Sequence, residues 1–324
     1  MYDVTAIGEL LIDFATLDSD SDGYPVMAAK PGGAPVNYLA ALTAYGRRTA
    51  FLGKVGADTF GRLLVETVKK AGIETGGIIE DPSVFTTLAF VTFDKQGNRS
   101  FSFARKPGAD TCLRFEELNL AFIDASRVFH FGTLSLTDEP VRTATQRAVA
   151  YARQKGNLIT CDPNLRLSLW RSPQEAQKQM LWGLSQADIV KISDDEVRFL
   201  WACGAEEGAA RLLAEYDVAL AMVTLGPKGC LLRNRQGAVC CPSIDVKTID
   251  TTGAGDIFGG SAVSRILEIG KPPHALTLLE LGEIARFASA ASSLSTRKMG
   301  GVPSIPPMQE VLDAMGALAP VQNI

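Results

Sequence analysis

Three small residues, Gly253, Ala254 and Gly255, stand directly before Asp256 in "DTTGAGDIFGG", at the head of the apolar run Ile257–Ile269. That run has helical spacing and is closed by Gly270 and then Pro272, so the small residues fall at a helix N-terminus. Free N–H groups and the positive end of the helix dipole face outward there, and small side chains let an anion come close. Asp256 would project into the same space, beside a transferring phosphoryl group. The dipole is expected to depress its pKa and leave a weak base. Phosphoryl transfer tolerates a weak base, because positioning and charge neutralisation matter more than strong proton abstraction. On this stretch alone, a plain helix start and an active site both stand.

A second glycine cluster, "KPGGAPVNYLAALTAYG" (Lys30–Gly46), also opens a helix. It reads either as a tight turn with Asn37 in the first helical turn, or as a backbone wall for a polyol with Asn37 giving directional hydrogen bonds. Asp13 in "GELLIDF" alternates with apolar residues and either points inward to sugar hydroxyls or lies on a solvated edge.

The chain that must position these residues has 324 residues, 46% of them hydrophobic and 21% charged, with a net charge of −4. It is long enough to bury a large core without disulfides or metal staples. No basic cluster offers a footprint for nucleic acid. Six cysteines without C-x-x-C spacing read as core residues of a reduced, cytoplasmic protein. Having only His130 and His274 argues against histidine-centred catalysis and against a multi-histidine metal site. The N-terminus lacks signal-peptide character and no apolar run suits a membrane span.

Apolar β-rich runs alternate with helical patterns. Core strands are expected at Tyr2–Gly8, Thr49–Val55, Val128–Phe131, Leu158–Cys161, Ile189–Ile192 and Val218–Thr224. Helices are expected between Pro35 and Gly46, between Pro140 and Gly156, and after the capping box Ser172-Pro173-Gln174-Glu175. This order predicts an α/β fold with a mostly parallel sheet flanked by helices on both faces. Two stretches break the rhythm. Thr86–Asp94 and Arg99–Arg105 read as antiparallel strands around Lys95-Gln96-Gly97-Asn98, and Asp13–Leu17 and Val26–Lys30 pair around "SDSDG". They predict a small separate sheet, about 12–31 and 84–108, serving as a lid on a single domain of residues 1–324.

These pieces resemble the ribokinase-like (pfkB-type) sugar kinases over almost the whole chain. "GGAPVNYLAALTAYG" looks like that family's first signature and "DTTGAGDIFGGSAV" like its second. The resemblance implies an ATP- and Mg²⁺-dependent kinase with Asp256 as catalytic base and the N–H groups around Gly253, Ala254, Gly255 and Asp256 as anion hole. It places "TLGPKG", with Thr224, Gly226, Lys228 and Gly229, along the nucleotide phosphates, and Ser193 and Ser289 on the nucleotide side. Asp13, Gly32, Gly33 and Asn37 fall at sugar-contacting positions.

"FSFARKPGAD", "VFHFGTLSL", "DPNLRLSLW" and "KISDDEVRFL" are similar to the fructokinase branch, which implies Arg105 reaching the sugar from the lid, and Arg166 near it. The arginine sits in "FAR", where fructokinases often have a tyrosine before it. Where many members carry N-x-x-E to organise Mg²⁺ through water, this chain has Ser193-Asp194-Asp195-Glu196; Glu196 takes the metal role, or the four residues serve as a capping box. Asp250 and Thr252, with carbonyls near Ser295 and Gly300, fall where relatives hold a monovalent cation such as K⁺. A homodimer through the lid is also implied. The expected reaction is phosphorylation of D-fructose to fructose 6-phosphate. A 2-keto-3-deoxygluconate kinase is the nearest rival, since Arg105 and Arg166 could clamp a carboxylate. A non-catalytic sugar sensor has no use for the base. A nicotinamide dehydrogenase would need a G-x-G-x-x-G after the first strand, which is absent.

Overall fold

A computed structural model describes residues 1–93, 99–316, 318 and 320–324. Strand β1 (Tyr2–Ile7) starts the core, and β2 (Leu11–Ser19) and β3 (Pro25–Gly32) leave it for a second sheet. After helix α1 (Ala34–Ala44), β4 (Thr49–Gly56) and β5 (Glu74–Asp81) return to the core, while β6 (Leu88–Phe93) and β7 (Arg99–Ala104) complete the second sheet. The core continues through β8 (Ser126–Gly132), β9 (Leu158–Asp162), β10 (Ile189–Ser193) and β11 (Leu220–Thr224). It ends with β12 (Cys230–Asn234), β13 (Gly237–Cys241) and β14 (Gln322–Asn323).

The large sheet runs β14-β13-β12-β11-β10-β9-β8-β1-β4-β5. From β11 to β5 every pairing is parallel, and β12, β13 and β14 extend it antiparallel. Its central strands are near-continuous apolar runs because both faces are covered; β4 is buried along its whole length. Alternate residues feed two separate cores. Val4, Ala6 and Val128 pack in one with the helices flanking that face, and Ile7, Phe129 and Phe131 pack in the other. All six expected core strands are present, with ends moved by no more than two residues. Strands β5, β12, β13 and β14 have no counterpart in the expected set.

The second sheet has four strands in the order β3-β2-β6-β7. Asp13 pairs with Lys30 and Leu11 with Gly32 across the antiparallel β2–β3 ladder, and β2 runs parallel to β6. Phe14 stacks on Phe90 at 5.2 Å between ring centroids and meets the Phe60 edge at 5.5 Å, seating this sheet against the rest of the protein. The expected turn Lys95-Gln96-Gly97-Asn98 lies outside the described residues.

Where the chain passes from β3 into α1, Gly33 adopts φ 129°, and a Cβ there would lie 2.5 Å from the Glu9 carbonyl oxygen. Only glycine fits. The helix carrying Asp256 is α4, after α2 (Pro173–Gln186), capped by Ser172, and α3 (Asp194–Trp201). Helix α4 spans Ala254–Ile269, with left-handed glycines at both ends, Gly253 at φ 76° and Gly270 at φ 73°. It packs against α1 and against α5 (Leu278–Ser295).

Candidate active site

The carboxyl ends of the parallel strands converge on one crevice, the usual ligand position in an open α/β sheet. Two cavities occupy it. One, of about 580 Å³, lies under the small sheet and is lined by Asp13, Gly33, Asn37, Arg166 and Asp256. The other, of about 660 Å³, is lined by Gly226, Gly229, Ala254, Phe258 and Ser289. Thr224, Thr251 and Gly255 line both. The cavities therefore meet at the first turn of α4, where N–H groups lack intrahelical acceptors. The Ala254 N–H donates to the Thr251 carbonyl at 3.2 Å.

Asp256 is in that turn, on the side of the smaller cavity. Its Oδ2 accepts from Asn37 Nδ2 at 2.9 Å, tying α4 to α1. Burial pushes its pKa up to about 7, with the Asp162 charge adding to the rise and Lys191, the Asn37 bond and Arg166 opposing it. The depressed value expected from the helix dipole is thus overturned. The dipole is one favourable influence on a carboxylate enclosed by protein on all sides but the cavity. Desolvation and a second carboxylate outweigh it.

Asp13 faces the same cavity from β2, its pKa raised to about 6 by burial, with Arg166 lowering it and Asp250 raising it. Gly32 does not line this cavity; a Cβ there would lie 2.1 Å from Asp13 Oδ2, so its bareness makes room for the carboxylate. Asn37 Oδ1 is buried without a hydrogen-bond partner. It is the acceptor in this wall that a polyol hydroxyl could satisfy.

Arg105 departs from expectation. Its Nε and Nη2 both engage Asp110, at 2.8 and 2.7 Å, its Nη1 donates to Thr137 Oγ1 at 2.8 Å, and its Nη2 also donates to the Leu134 carbonyl at 3.0 Å. The guanidinium is buried and absent from the cavity lining, because Asp110 neutralises it behind Leu134. Lys228 is exposed on its loop and lines neither cavity. Ser193 lines the smaller cavity rather than the larger one.

Ser193 and Glu196 form the capping box of α3: Ser193 Oγ accepts from the Glu196 N–H at 3.2 Å, and Glu196 Oε2 accepts from the Ser193 N–H at 2.8 Å. Glu196 Oε1 accepts from the Leu165 N–H at 2.7 Å, yet the residue still lines the smaller cavity. Among the described residues no three His, Cys, Asp or Glu side chains cluster to hold an ion. Both Glu196 carboxylate oxygens already accept backbone N–H groups, so a Mg²⁺ would reach this residue only through water. Asp250 Oδ1 accepts from Thr252 N–H and Oγ1 at 3.0 and 2.7 Å, and its Oδ2 accepts from the Gly300 N–H at 2.9 Å. These bonds bring together the two loops expected around a monovalent cation.

Three residues of the smaller cavity or its floor carry no role in the sequence reading. Glu9, buried and raised to about 7 by desolvation, accepts from the Ala34 N–H at 3.0 Å. Lys191 donates to Asp162 Oδ2 at 2.9 Å, and both are buried. The available signal was a lone lysine inside the apolar strand "IVKIS".

The model of the pfkB family carbohydrate kinases matches residues 1–308. Fructokinase-1 of Zea mays is 42% identical over 315 residues, covering 95% of this chain and 96% of its own. Among solved structures, fructokinase of Xylella fastidiosa with bound ATP superimposes with a TM-score of 0.89 at 28% identity, over 98% of this chain and 99% of that one. Fructokinase of Vibrio cholerae O395 with fructose, ADP and calcium ion bound gives 0.85 at 31% identity, over 97% and 98%.

Proposed function

The chain belongs to the pfkB family of carbohydrate kinases, and from that premise we propose that it transfers the γ-phosphoryl group of ATP to the primary hydroxyl of D-fructose, giving fructose 6-phosphate. One observation carries the reading. A sugar-sized cavity holding Asp256 and a second cavity lined by the Thr224–Gly229 loop share a boundary at Gly255. An acceptor hydroxyl in the first and a nucleotide in the second would face each other across a helix N-terminus.

The sugar lies between Asp13, the Gly33 backbone, Asn37 and Arg166, with its reacting hydroxyl at Asp256. Asp256 takes the hydroxyl proton as the oxygen attacks phosphorus. The N–H groups of Gly255 and Asp256 in the first turn of α4 receive the charge on the phosphoryl oxygens, that of Ala254 being given to Thr251. ATP lies along Gly226 and Gly229 towards Ser289. Glu196 would hold a Mg²⁺ through water, and that ion would supply charge neutralisation at the phosphates. A monovalent cation would sit between the Asp250–Thr252 and Gly300 loops.

The acceptor cavity favours fructose over 2-keto-3-deoxygluconate. With Arg105 committed to Asp110, Arg166 is the one arginine of the expected pair lining the cavity, and Glu9 and Asp13 line it as well. A substrate carboxylate would lose half of the two-arginine clamp expected for it.

The test is a coupled ADP-release assay over fructose, ribose, 2-keto-3-deoxygluconate and nucleosides. Fructose should give the highest kcat/KM. A higher value for the keto-deoxy acid would reassign the substrate, and silence with every sugar would leave a sugar sensor. The small sheet would close over the bound sugar in a cytoplasmic homodimer formed through that sheet, where Leu17, Tyr24 and Val26 are exposed. A strictly monomeric species by sedimentation at micromolar concentration would remove the dimer. Among the described residues no helix is long and apolar enough to cross a membrane.

A further inference from the structure

Strand β10 reads Ile-Val-Lys-Ile-Ser, and its lysine is the exception in a strand otherwise given over to the two cores. Val190 and Ile192 point into one core, so the Lys191 side chain leaves on the opposite face, towards α4. Its Nζ lies 2.9 Å from Asp162 Oδ2 on neighbouring β9, and 2.9 Å from the point where a Cβ on Gly255 would stand. Any side chain at Gly255 would strike the ammonium. Gly255 lines both cavities, and Lys191 lines the one that holds Asp256.

The groups around the ammonium leave it charged and aimed. Asp162, Glu196 and Asp256 all act on it electrostatically and hold its pKa above the ordinary lysine value against the opposing effect of burial. His130 is its neighbour beneath the site; burial and the Lys191 charge press its pKa down to about 3, so it stays neutral. The His130 ring is fixed by stacking on Tyr38 at 3.8 Å and by Thr160 Oγ1 at 2.9 Å. An ammonium carries three N–H donors. One goes to Asp162, and the residue lines the cavity that holds Asp256. As a strut between β9 and β10 this pair has little to recommend it, since two apolar residues would join the strands at no loss of stability.

Resting on the kinase reading above, we propose that Lys191 is a catalytic residue whose ammonium, anchored by Asp162, contacts the transferring phosphoryl group as it passes Gly255. The first turn of α4 supplies partial charges and Lys191 a full one, on the acceptor side of the junction. Phosphoryl transfer spreads negative charge over three equatorial oxygens, and a cation already fixed in place meets it without reorganisation. Lys191 gives up no proton, so Asp256 remains the only base.

The test compares wild type, Lys191→Met and the double variant Asp162→Asn/Lys191→Met, which removes the Asp162 charge together with its partner. Measurements are kcat, KM for the best sugar, thermal unfolding, and calorimetric affinity for ADP and for β,γ-imido-ATP. Both variants should lose turnover by about a hundredfold or more, the scale set by removal of one transition-state donor. The double variant should unfold near the wild-type temperature, keep its sugar KM within roughly threefold, and bind ADP normally but imido-ATP more weakly. Turnover in the double variant within about fivefold of wild type would show that Lys191 only neutralises Asp162, and would overturn the inference while the kinase reading stands. A wild type that releases no ADP with any sugar overturns both.

Discussion

Asp256→Asn should make the protein more stable and nearly inactive at once. The folded chain binds the Asp256 proton more tightly than the unfolded chain does, because the pKa rises from the ordinary 3.8 to about 7. This carboxyl therefore costs the fold nothing below about pH 4, an increasing amount as pH climbs towards 7, and the full amount above that. Three decades of proton affinity correspond to about 4 kcal/mol. Water in the cavity and the loss of a counter-charge for Lys191 bring the expected gain to about half of that, ~2 kcal/mol. Over 324 residues, at ~2.1 cal/mol/K each, the gain is a rise in Tm of about 3 °C. The substituted carboxamide can still accept from Asn37 Nδ2 through its oxygen, so the α1–α4 tie survives. The assay is thermal unfolding of both proteins at pH 5 and pH 8.5, beside kcat at each pH. Stabilisation should appear at pH 8.5, shrink at pH 5, and accompany a loss of turnover of at least about a hundredfold. In the wild type, kcat/KM should rise with pH through about 7 as the base loses its proton. A variant that keeps near-normal turnover, or gains the same stability at both pH values, refutes the assignment of Asp256 as a buried base.

Gly32→Ala should raise KM for the sugar about tenfold with little change in KM for ATP, because the new methyl displaces the Asp13 carboxylate; equal effects on both KM values would deny Asp13 a sugar contact. Glu196→Gln should raise the Mg²⁺ concentration for half-maximal rate about tenfold, whereas lost Tm with an unchanged Mg²⁺ response would confine Glu196 to its capping box. Arg105→Ala should cost about 3–5 kcal/mol of stability by leaving Asp110 buried and unpaired, read by denaturant unfolding. A raised sugar KM at unchanged stability would return Arg105 to the substrate.

The β-branched runs and the glycine-started helices were legible because sequence pattern alone reports burial and caps. Asp256 and the small sheet followed from them. Strand β5 escaped notice because its "ETGGIIED" puts two glycines and three acids around a short apolar centre. The β12–β13 hairpin breaks the alternation of strand and helix that marks the rest of the core, although Asn234 and Gly237 mark its turn. Side-chain commitment is a matter of three dimensions. Nothing in "FSFARKPGAD" says that Arg105 spends its donors on Asp110 and Thr137, or that Lys191 and Asp162, far apart in the chain, meet beside Gly255. The helix dipole at Asp256 could be foreseen, but the enclosure that outweighs it could not.

Strand β3 ends at Gly32 and α1 begins at Ala34, so one unbroken stretch of chain joins the small sheet to Asn37 and through it to Asp256. A kinase of this kind works in a solvent that competes with its acceptor, since water is also a nucleophile and far more abundant than any sugar. Through this stretch, a tilt of the small sheet would be felt at Asp256, the proposed base for either one. Loosening the connection at Gly33 would therefore show first as wasted nucleotide, ADP released without sugar phosphate formed, and only later as a slower enzyme.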